Sequence, residues 1–189
     1  MTAPPARRRS DADPATPEVE ALRAEVEALK AEVERLAALA DRDVLTPLLN
    51  RRAFERELVR AIAFCRRYGS PACLLYLDLD GFKGVNDSLG HQAGDEALIR
   101  VAALLTANIR ESDVAARLGG DEFALLLFQA GADEGLAKAA ALSDAIAALE
   151  IEGRRLGGTF GVRAFDDHAS GAEWLAEADA AMFVRKKHR

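Results

Sequence analysis

The chain has 189 residues, half of them hydrophobic and 30% charged, with a formal net charge of −6. This composition predicts one ordinary globular domain with a short additional segment and excludes a disordered chain. A net negative charge argues against nucleic-acid binding, which depends on clustered Lys and Arg. No apolar run approaches the roughly 20 residues of a membrane span, and none follows the arginines at 7–9. We therefore expect a cytoplasmic protein with no nucleic-acid or membrane partner.

The N-terminal segment divides into two parts. Residues 1–17 hold four of the six prolines, which predicts a disordered tail. From 18 to 40, apolar residues alternate spacings of three and four, with Val at heptad position a and Leu at d, which favours a parallel two-stranded coiled coil. The alternative is one amphipathic helix packed on its own domain, but the apolar stripe is narrow for that. The predicted dimerisation residues are Val19, Leu22, Val26, Leu29, Val33 and Leu36.

After Asp41 the pattern becomes mixed α and β. Apolar periodicity predicts helices over about 50–67, 98–109 and 133–149 and from 171 to the end, with strands at 72–77, 114–118, 123–128 and 159–165. Gly119 and Gly120 favour a tight hairpin turn between the second and third strands. The element order is therefore βαββαβ. The predicted fold class is α/β (α+β), a palm-like domain whose central sheet contains antiparallel strands and is flanked by helices.

Four acidic residues stand at the ends of the first and third of these strands. Asp78 and Asp80 end the first strand, and Asp121 and Glu122 begin the third. If the two strands are antiparallel neighbours, the four acids meet at one edge of the sheet. Oxygen ligands without His or Cys suit Mg²⁺ or Mn²⁺, which take further ligands from phosphates and water. Each acid alone could be a helix cap or a solvated strand end, but together they indicate metal-dependent nucleoside triphosphate chemistry.

The segment from Arg117 to Phe123, RLGGDEF, resembles the R-x-G-G-D-E-F signature of the GGDEF family of diguanylate cyclases. The rest of the family pattern follows in order as DVLTPLLNRR at 43–52, DLDGFKGVND at 78–87 and GHQAGD at 90–95. The resemblance covers 41–189 and implies condensation of two GTP into cyclic di-GMP and two pyrophosphates, across a homodimer, with two Mg²⁺ or Mn²⁺ ions per active site. The alternative is a non-catalytic GTP or cyclic di-GMP receptor that regulates a partner.

The resemblance also implies roles for individual residues. Asp78, the main-chain carbonyl of Leu79 and Asp121 would bind the metal ions, assisted by Glu122. Asp121 would accept the proton of the ribose 3′-hydroxyl, Glu122 would support it, and Lys83 would stabilise charge on the phosphates. The expected substrate-binding residues are Phe82, Asn86, His91, Asp95, Gly119, Gly120 and Lys186.

Asn86 and Asp95 match the guanine-recognising pair of the family. A carboxylate can accept hydrogen bonds from both N1–H and the exocyclic amine of guanine, a pattern that adenine does not supply. Asp95 could instead be a helix N-cap and Asn86 part of an Asx-turn. His91 would lie near the ribose or base, or it would simply pack under its loop.

Arg110 and Asp113 have the spacing of the family's inhibitory R-x-x-D site, which implies that this chain binds its own product as an inhibitor. Arg117 would add a further contact, and the alternative is a surface salt bridge at a helix end. The sequence departs from the family at Pro47, where glycine is common, and at Arg185, where alanine is usual. It ends at about the place where the family supplies another arginine to the triphosphate, so we expect weaker phosphate binding. No sensor-like segment precedes the coil, which leaves room for a sensor partner.

Overall fold

The computed structural model describes residues 16–187, apart from the side chains of residues 34 and 36–39. The chain divides into two compact units that join between Ala40 and Asp41, and each unit is described by itself. Most of the predicted tail lies outside the described residues. Within 16–187, no helix is both long enough and apolar enough to cross a membrane.

The described part of the first unit is one helix, α1 (Pro17–Ala40). Proline suits the first helical turn because its missing N–H would have no partner there, so the helix begins one residue before the predicted coil. The apolar a and d side chains from Val19 to Val33 are 41–64% exposed, while the side chain of Leu36 is outside the described part. An exposed apolar stripe fits a second helix, and dimerisation stays a prediction.

The second unit is built on a five-stranded mixed sheet with strand order β1-β3-β4-β2-β7. These strands are β1 (Leu49–Asn50), β2 (Ala72–Asp80), β3 (Val114–Gly119), β4 (Glu122–Phe128) and β7 (Gly157–Ala164). Strand β2 is antiparallel to both β4 and β7, whereas β1 is parallel to β3. A separate hairpin pairs β5 (Glu150–Ile151) with β6 (Arg154–Arg155). The predicted antiparallel pairing of the first and third long strands is confirmed.

Helices cover both faces of this sheet. They are α2 (Arg51–Tyr68), α3 (Phe82–Leu89), α4 (His91–Ala107), α5 (Ala132–Ala147) and α6 (Gly171–Lys187). Side chains of α2 and α6 form one apolar layer with Leu74 and Tyr76 of β2, and those of α3, α4 and α5 form the other with Leu75 and Leu77. Burial on both faces explains why β2 reads as a continuous apolar run until Asp78. The predicted α/β class is confirmed.

Helix α6 lies directly on strand β7. A Cβ atom added to Gly161 would stand 1.9 Å from the carbonyl oxygen of Ala178, so only glycine permits this close approach. The indole N–H of the fully buried Trp174 also donates to the carbonyl of Arg163 at 3.0 Å. These contacts fix the course of α6 and therefore the position of its last turn, which carries Lys186.

Candidate active site at the end of the sheet

The hairpin turn between β3 and β4 differs by one residue from the predicted one. The strand register shifts between Arg117 and Gly119, so Leu118 forms a bulge, and the turn residues are Gly120 and Asp121 rather than the two glycines. Gly120 adopts a positive φ of 53°, which glycine tolerates without strain. Asp121 consequently lies in the turn itself, one residue before β4 begins.

Asp78 and Asp121 come together at the end of the sheet. The main-chain N–H of Leu79 donates to the carbonyl of Asp121 at 3.2 Å, which ties the turn to β2. Burial raises the pKa of Asp121, and the negative charge of Asp78 raises it further. Lys186 forms an ion pair and hydrogen bond with Asp78, and this contact raises the pKa of Lys186. Two adjacent carboxylates thus share one nearby ammonium group.

The other two predicted acids have partners of their own. Asp80 accepts a hydrogen bond from the hydroxyl of Thr159 at 2.7 Å. Glu122 stands directly opposite Asp78 in the strand register, and one of its oxygens lies 3.8 Å from Nη2 of Arg51. Burial raises the pKa of the Tyr76 phenol, and the neighbouring charge of Glu122 adds to the effect.

These residues suit a divalent cation as a partial ligand set. Within residues 16–187, no three His, Cys, Asp or Glu side chains gather into a group that could hold a metal ion by themselves. Asp78 and Asp121 supply two oxygen donors whose mutual repulsion a cation would relieve. Mg²⁺ commonly binds proteins through one or two carboxylates, with water and substrate phosphates completing the octahedron. The donor set therefore fits Mg²⁺ or Mn²⁺ bound together with a nucleotide.

The predicted nucleotide-binding residues lie on the next two helices. A Cβ atom added to Gly94 of α4 would stand 2.0 Å from Oδ1 of Asn86 in α3, so the Asn86 side chain rests against the residue that precedes Asp95. Asp95 and His91 are exposed on the first turns of α4. Asn86 of α3 and the first turns of α4 therefore lie side by side, and their binding of a nucleotide stays a prediction.

Lys83 and Phe82 open helix α3, directly after Gly81. Gly81 caps this helix with a positive φ of 82° and no side-chain hydrogen bond. The first main-chain N–H groups of a helix have no intrahelical partner and attract anions. Lys83 is exposed and Phe82 is partly buried against the core. This turn is therefore suited to a phosphate group.

The predicted product-binding residues differ in how far their side chains are already engaged in contacts within the domain. Asp113 closes its loop by accepting hydrogen bonds from the N–H of Arg110 at 3.0 Å and of Phe128 at 3.1 Å. Arg117 points into the domain, where its Nη1 lies 3.1 Å from Asp43 and its Nε and Nη2 donate to the carbonyl of Gly120. The guanidinium of Arg117 thus braces the turn that carries Asp121, and its contact with product stays a prediction.

Sequence reasoning missed three side chains at this site: Asp43, Arg51 and Tyr76. Asp43 and Arg51 belong to the segment at 43–52 that carries part of the family resemblance, but nothing in the local pattern tells which strand end each side chain reaches. Tyr76 stands within an apolar run and reads as a core residue. Alternation along β2 could have placed it on the same face as Asp78.

Most of this chain resembles one known protein family. The family model described as "Diguanylate cyclase, GGDEF domain" matches residues 40–189. The diguanylate cyclase TpbB of Pseudomonas aeruginosa is 39% identical over 159 residues, which cover 78% of this chain and 35% of the relative. The diguanylate cyclase DosC of Escherichia coli is 35% identical over 150 residues, which cover 77% of this chain and 33% of the relative. The chain spans about a third of the length of these curated relatives.

A solved structure resembles the chain over most of its length. The coiled coil and GGDEF domain of DgcB from Caulobacter crescentus, in complex with c-di-GMP, gives a TM-score of 0.80 at 30% identity. The match covers 90% of this chain and 93% of that one. The chain belongs to the GGDEF family of diguanylate cyclases.

Proposed function

We propose that this chain is a diguanylate cyclase that condenses two GTP molecules into cyclic di-GMP and two pyrophosphates. The observation that carries the proposal is the meeting of Asp78 and Asp121 beside Lys186 at the end of the sheet. Relatives at 35–39% identity are diguanylate cyclases, and the residues that the family uses are present here in order.

In each half-reaction, the 3′-hydroxyl oxygen of one GTP attacks the α-phosphorus of the other. The new O–P bond forms as the bond to the leaving pyrophosphate breaks, and Asp121 accepts the hydroxyl proton. Lys83 and Lys186 stabilise negative charge on the phosphates, because an ammonium group strengthens hydrogen bonds to charged oxygens. Asn86 and Asp95 orient the guanine base.

Asp78, Asp121 and the Leu79 carbonyl would hold divalent ions, with Glu122 alongside. Such ions lower the pKa of the attacking hydroxyl and neutralise the leaving group. Since Lys186 is already bound to Asp78, the lysine must release this carboxylate in part when a nucleotide complex binds. Its ammonium group then lies close to the incoming phosphates.

Cyclisation requires two sites that face each other, because each GTP is nucleophile and electrophile in turn. The exposed stripe of α1 supports a parallel coiled coil that raises the effective concentration of the second domain. The related DgcB structure was obtained with its coiled coil and with c-di-GMP. Product inhibition through Arg110 and Asp113 is part of the proposal. It predicts that Arg110→Ala makes product synthesis insensitive to added cyclic di-GMP, and unchanged inhibition would exclude this site.

The first test is incubation of the purified chain with GTP and Mg²⁺, with Asp121→Asn as a nearly isosteric control. Product is identified by chromatography and mass spectrometry. We expect cyclic di-GMP from the wild type and none from the variant. No product from either protein, at concentrations where dimers are demonstrated, would contradict the cyclase and favour the receptor alternative.

A further inference from the structure

Glu122 lies in an electrostatically unfavourable position. It is directly opposite Asp78 in an antiparallel strand pair, where Cβ atoms are about 4.5–5.5 Å apart and side chains share a face. Two carboxylates at that separation repel each other. A glutamate side chain has three rotatable bonds, so without restraint the carboxylate of Glu122 would turn away from Asp78 into solvent.

Two side chains oppose this movement from the face covered by α2 and α6. Arg51, the first residue of α2, donates from Nε to the carbonyl of Leu118 at 3.2 Å and places Nη2 3.8 Å from Glu122. The Leu118 carbonyl belongs to the bulge of β3. Arg51 therefore connects the bulge to the first residue of β4, on either side of the turn that contains Asp121.

Tyr76 restrains Glu122 from the interior side. It is buried in the layer between the sheet and helices α2 and α6, and its ring is surrounded by apolar side chains. Burying a hydroxyl group in such a layer is unfavourable unless it makes a hydrogen bond. The phenol of Tyr76 lines the same cavity as the carboxylate of Glu122, which stands opposite Asp78, two residues further along β2. A phenylalanine would fill the same space, so Tyr76→Phe removes the hydroxyl and keeps the packing.

These groups surround one cavity of about 420 Å³ between α2 and α6. The side chains of Arg51, Tyr76 and Glu122 line it together with Glu55 and Asp179. Both additional carboxylates increase the negative charge around Glu122, so a cation and a hydrogen-bond donor are needed to keep the carboxylate of Glu122 at this wall.

We propose that Arg51 and Tyr76 are positioning residues that hold the carboxylate of Glu122 beside Asp78, where it supports binding of the Mg²⁺ complex of GTP. This inference rests on the proposed function for the identity of the nucleotide. Arg51 acts on Glu122 from α2 as Lys186 acts on Asp78 from α6. Tyr76 is proposed to act through Glu122 and not on the nucleotide itself.

The test compares Tyr76→Phe with Tyr68→Phe, a matched control at the exposed end of α2. Affinity for a non-hydrolysable GTP analogue is measured by titration calorimetry, once with Mg²⁺ and once in EDTA. If the phenol holds Glu122 by a hydrogen bond, as proposed, Tyr76→Phe should bind about three- to tenfold more weakly in Mg²⁺. Binding in EDTA, which depends on base recognition, should be unchanged, and Tyr68→Phe should match the wild type in both conditions.

A double-mutant cycle with Glu122→Gln separates positioning from a general structural effect. If Tyr76 acts through the Glu122 carboxylate, the double variant binds the Mg²⁺ complex no more weakly than Glu122→Gln alone. Additive effects, or equal weakening in Mg²⁺ and EDTA, would overturn the inference. Arg51→Lys and Arg51→Gln test the other positioning residue without disturbing the buried layer. We expect the lysine variant to keep its affinity for the Mg²⁺ complex of the analogue and the glutamine variant to lose affinity.

Product formation is measured in parallel to keep the two hypotheses apart. A wild type that binds the Mg²⁺ complex of the analogue but makes no cyclic di-GMP contradicts the proposed function and leaves the role of Tyr76 to be decided by the cycle. A wild type that binds no nucleotide in Mg²⁺ overturns both.

Discussion

The ion pair between Asp43 and Arg117 offers a quantitative test of how the segment after α1 stabilises the turn that carries Asp121. Oδ1 of Asp43 accepts hydrogen bonds from the N–H of Leu45 at 3.3 Å, the N–H and hydroxyl of Thr46 at 2.9 and 2.8 Å, and Nη1 of Arg117 at 3.1 Å. The two charged side chains are only 15% and 12% exposed. Solvent therefore screens this pair less than a surface ion pair.

Two substitutions separate the contribution of charge from that of the acceptor. Asp43→Asn keeps an acceptor oxygen for the turn but removes the charge opposite Arg117, and we expect it to lower the free energy of unfolding by about 1.5–3 kcal/mol. Asp43→Ala removes every one of these bonds and leaves the guanidinium without a counterion, which predicts about 3–5 kcal/mol. Urea unfolding at pH 7, followed by circular dichroism, measures both values.

The pH dependence of the same experiment has a definite sign. Burial alone would raise the pKa of Asp43, but hydrogen bonds from Thr46 and Arg117 lower it overall. A carboxyl whose pKa is lower in the folded state stabilises the protein above its unfolded pKa, about 3.9. That contribution is lost as the pH falls through the folded value. The stability gap between wild type and Asp43→Asn should thus narrow at pH 3. Equal stability at pH 7, or a gap that does not change with pH, would refute the reasoning.

Three further predictions concern other parts of the chain. Gly161→Ala places a methyl group 1.9 Å from the Ala178 carbonyl oxygen and should lower the free energy of unfolding by about 3 kcal/mol. The control Gly84→Ala has open space around its methyl group and should be neutral or stabilising. Thermal unfolding compares the two variants, and equal melting temperatures would contradict the close packing of α6. Lys186→Met should change the free energy of unfolding by less than about 1 kcal/mol, since this side chain is 43% exposed. The same variant should form product about tenfold more slowly. Loss of stability without loss of product formation would show that Lys186 has a structural role only. If the chain dimerises through its predicted coiled coil, Leu29→Glu should be monomeric in light scattering and make no product. A dimer that persists in this variant would exclude the coiled coil.

The fold was largely predictable because its long elements carry strong periodicity. The run from Ala72 and the amphipathic helix α2 were identified from apolar spacing, and their bounds in the structure differ by only a few residues from the predicted ones. Strands of two residues, such as Leu49–Asn50, have no periodicity to detect. They form because neighbouring segments offer main-chain partners, which a local pattern does not contain.

The site was predictable in its residue types and less so in its contacts. Strand order sufficed to bring Asp78 opposite Glu122. The bulge at Leu118 was not predictable, because it depends on how the hairpin fits against Arg51 and the rest of α2. One inserted residue moves Asp121 from the strand into the turn. The family signature names this residue, but only the three-dimensional register explains why it lies beside Asp78.

The charges at the end of the sheet account for how an acidic site can be stable before a cation binds. Asp78 is compensated by Lys186 from α6, and Glu122 is compensated by Arg51 from α2. Within residues 16–187 Asp121 forms no ion pair, and its pKa is raised by burial and by Asp78. The two helices thus supply one cation each to Asp78 and Glu122, while Asp121 in the turn has no ion-pair partner among the described residues. An attraction for a nucleotide-bound cation therefore remains at Asp121, where the proposed chemistry needs it.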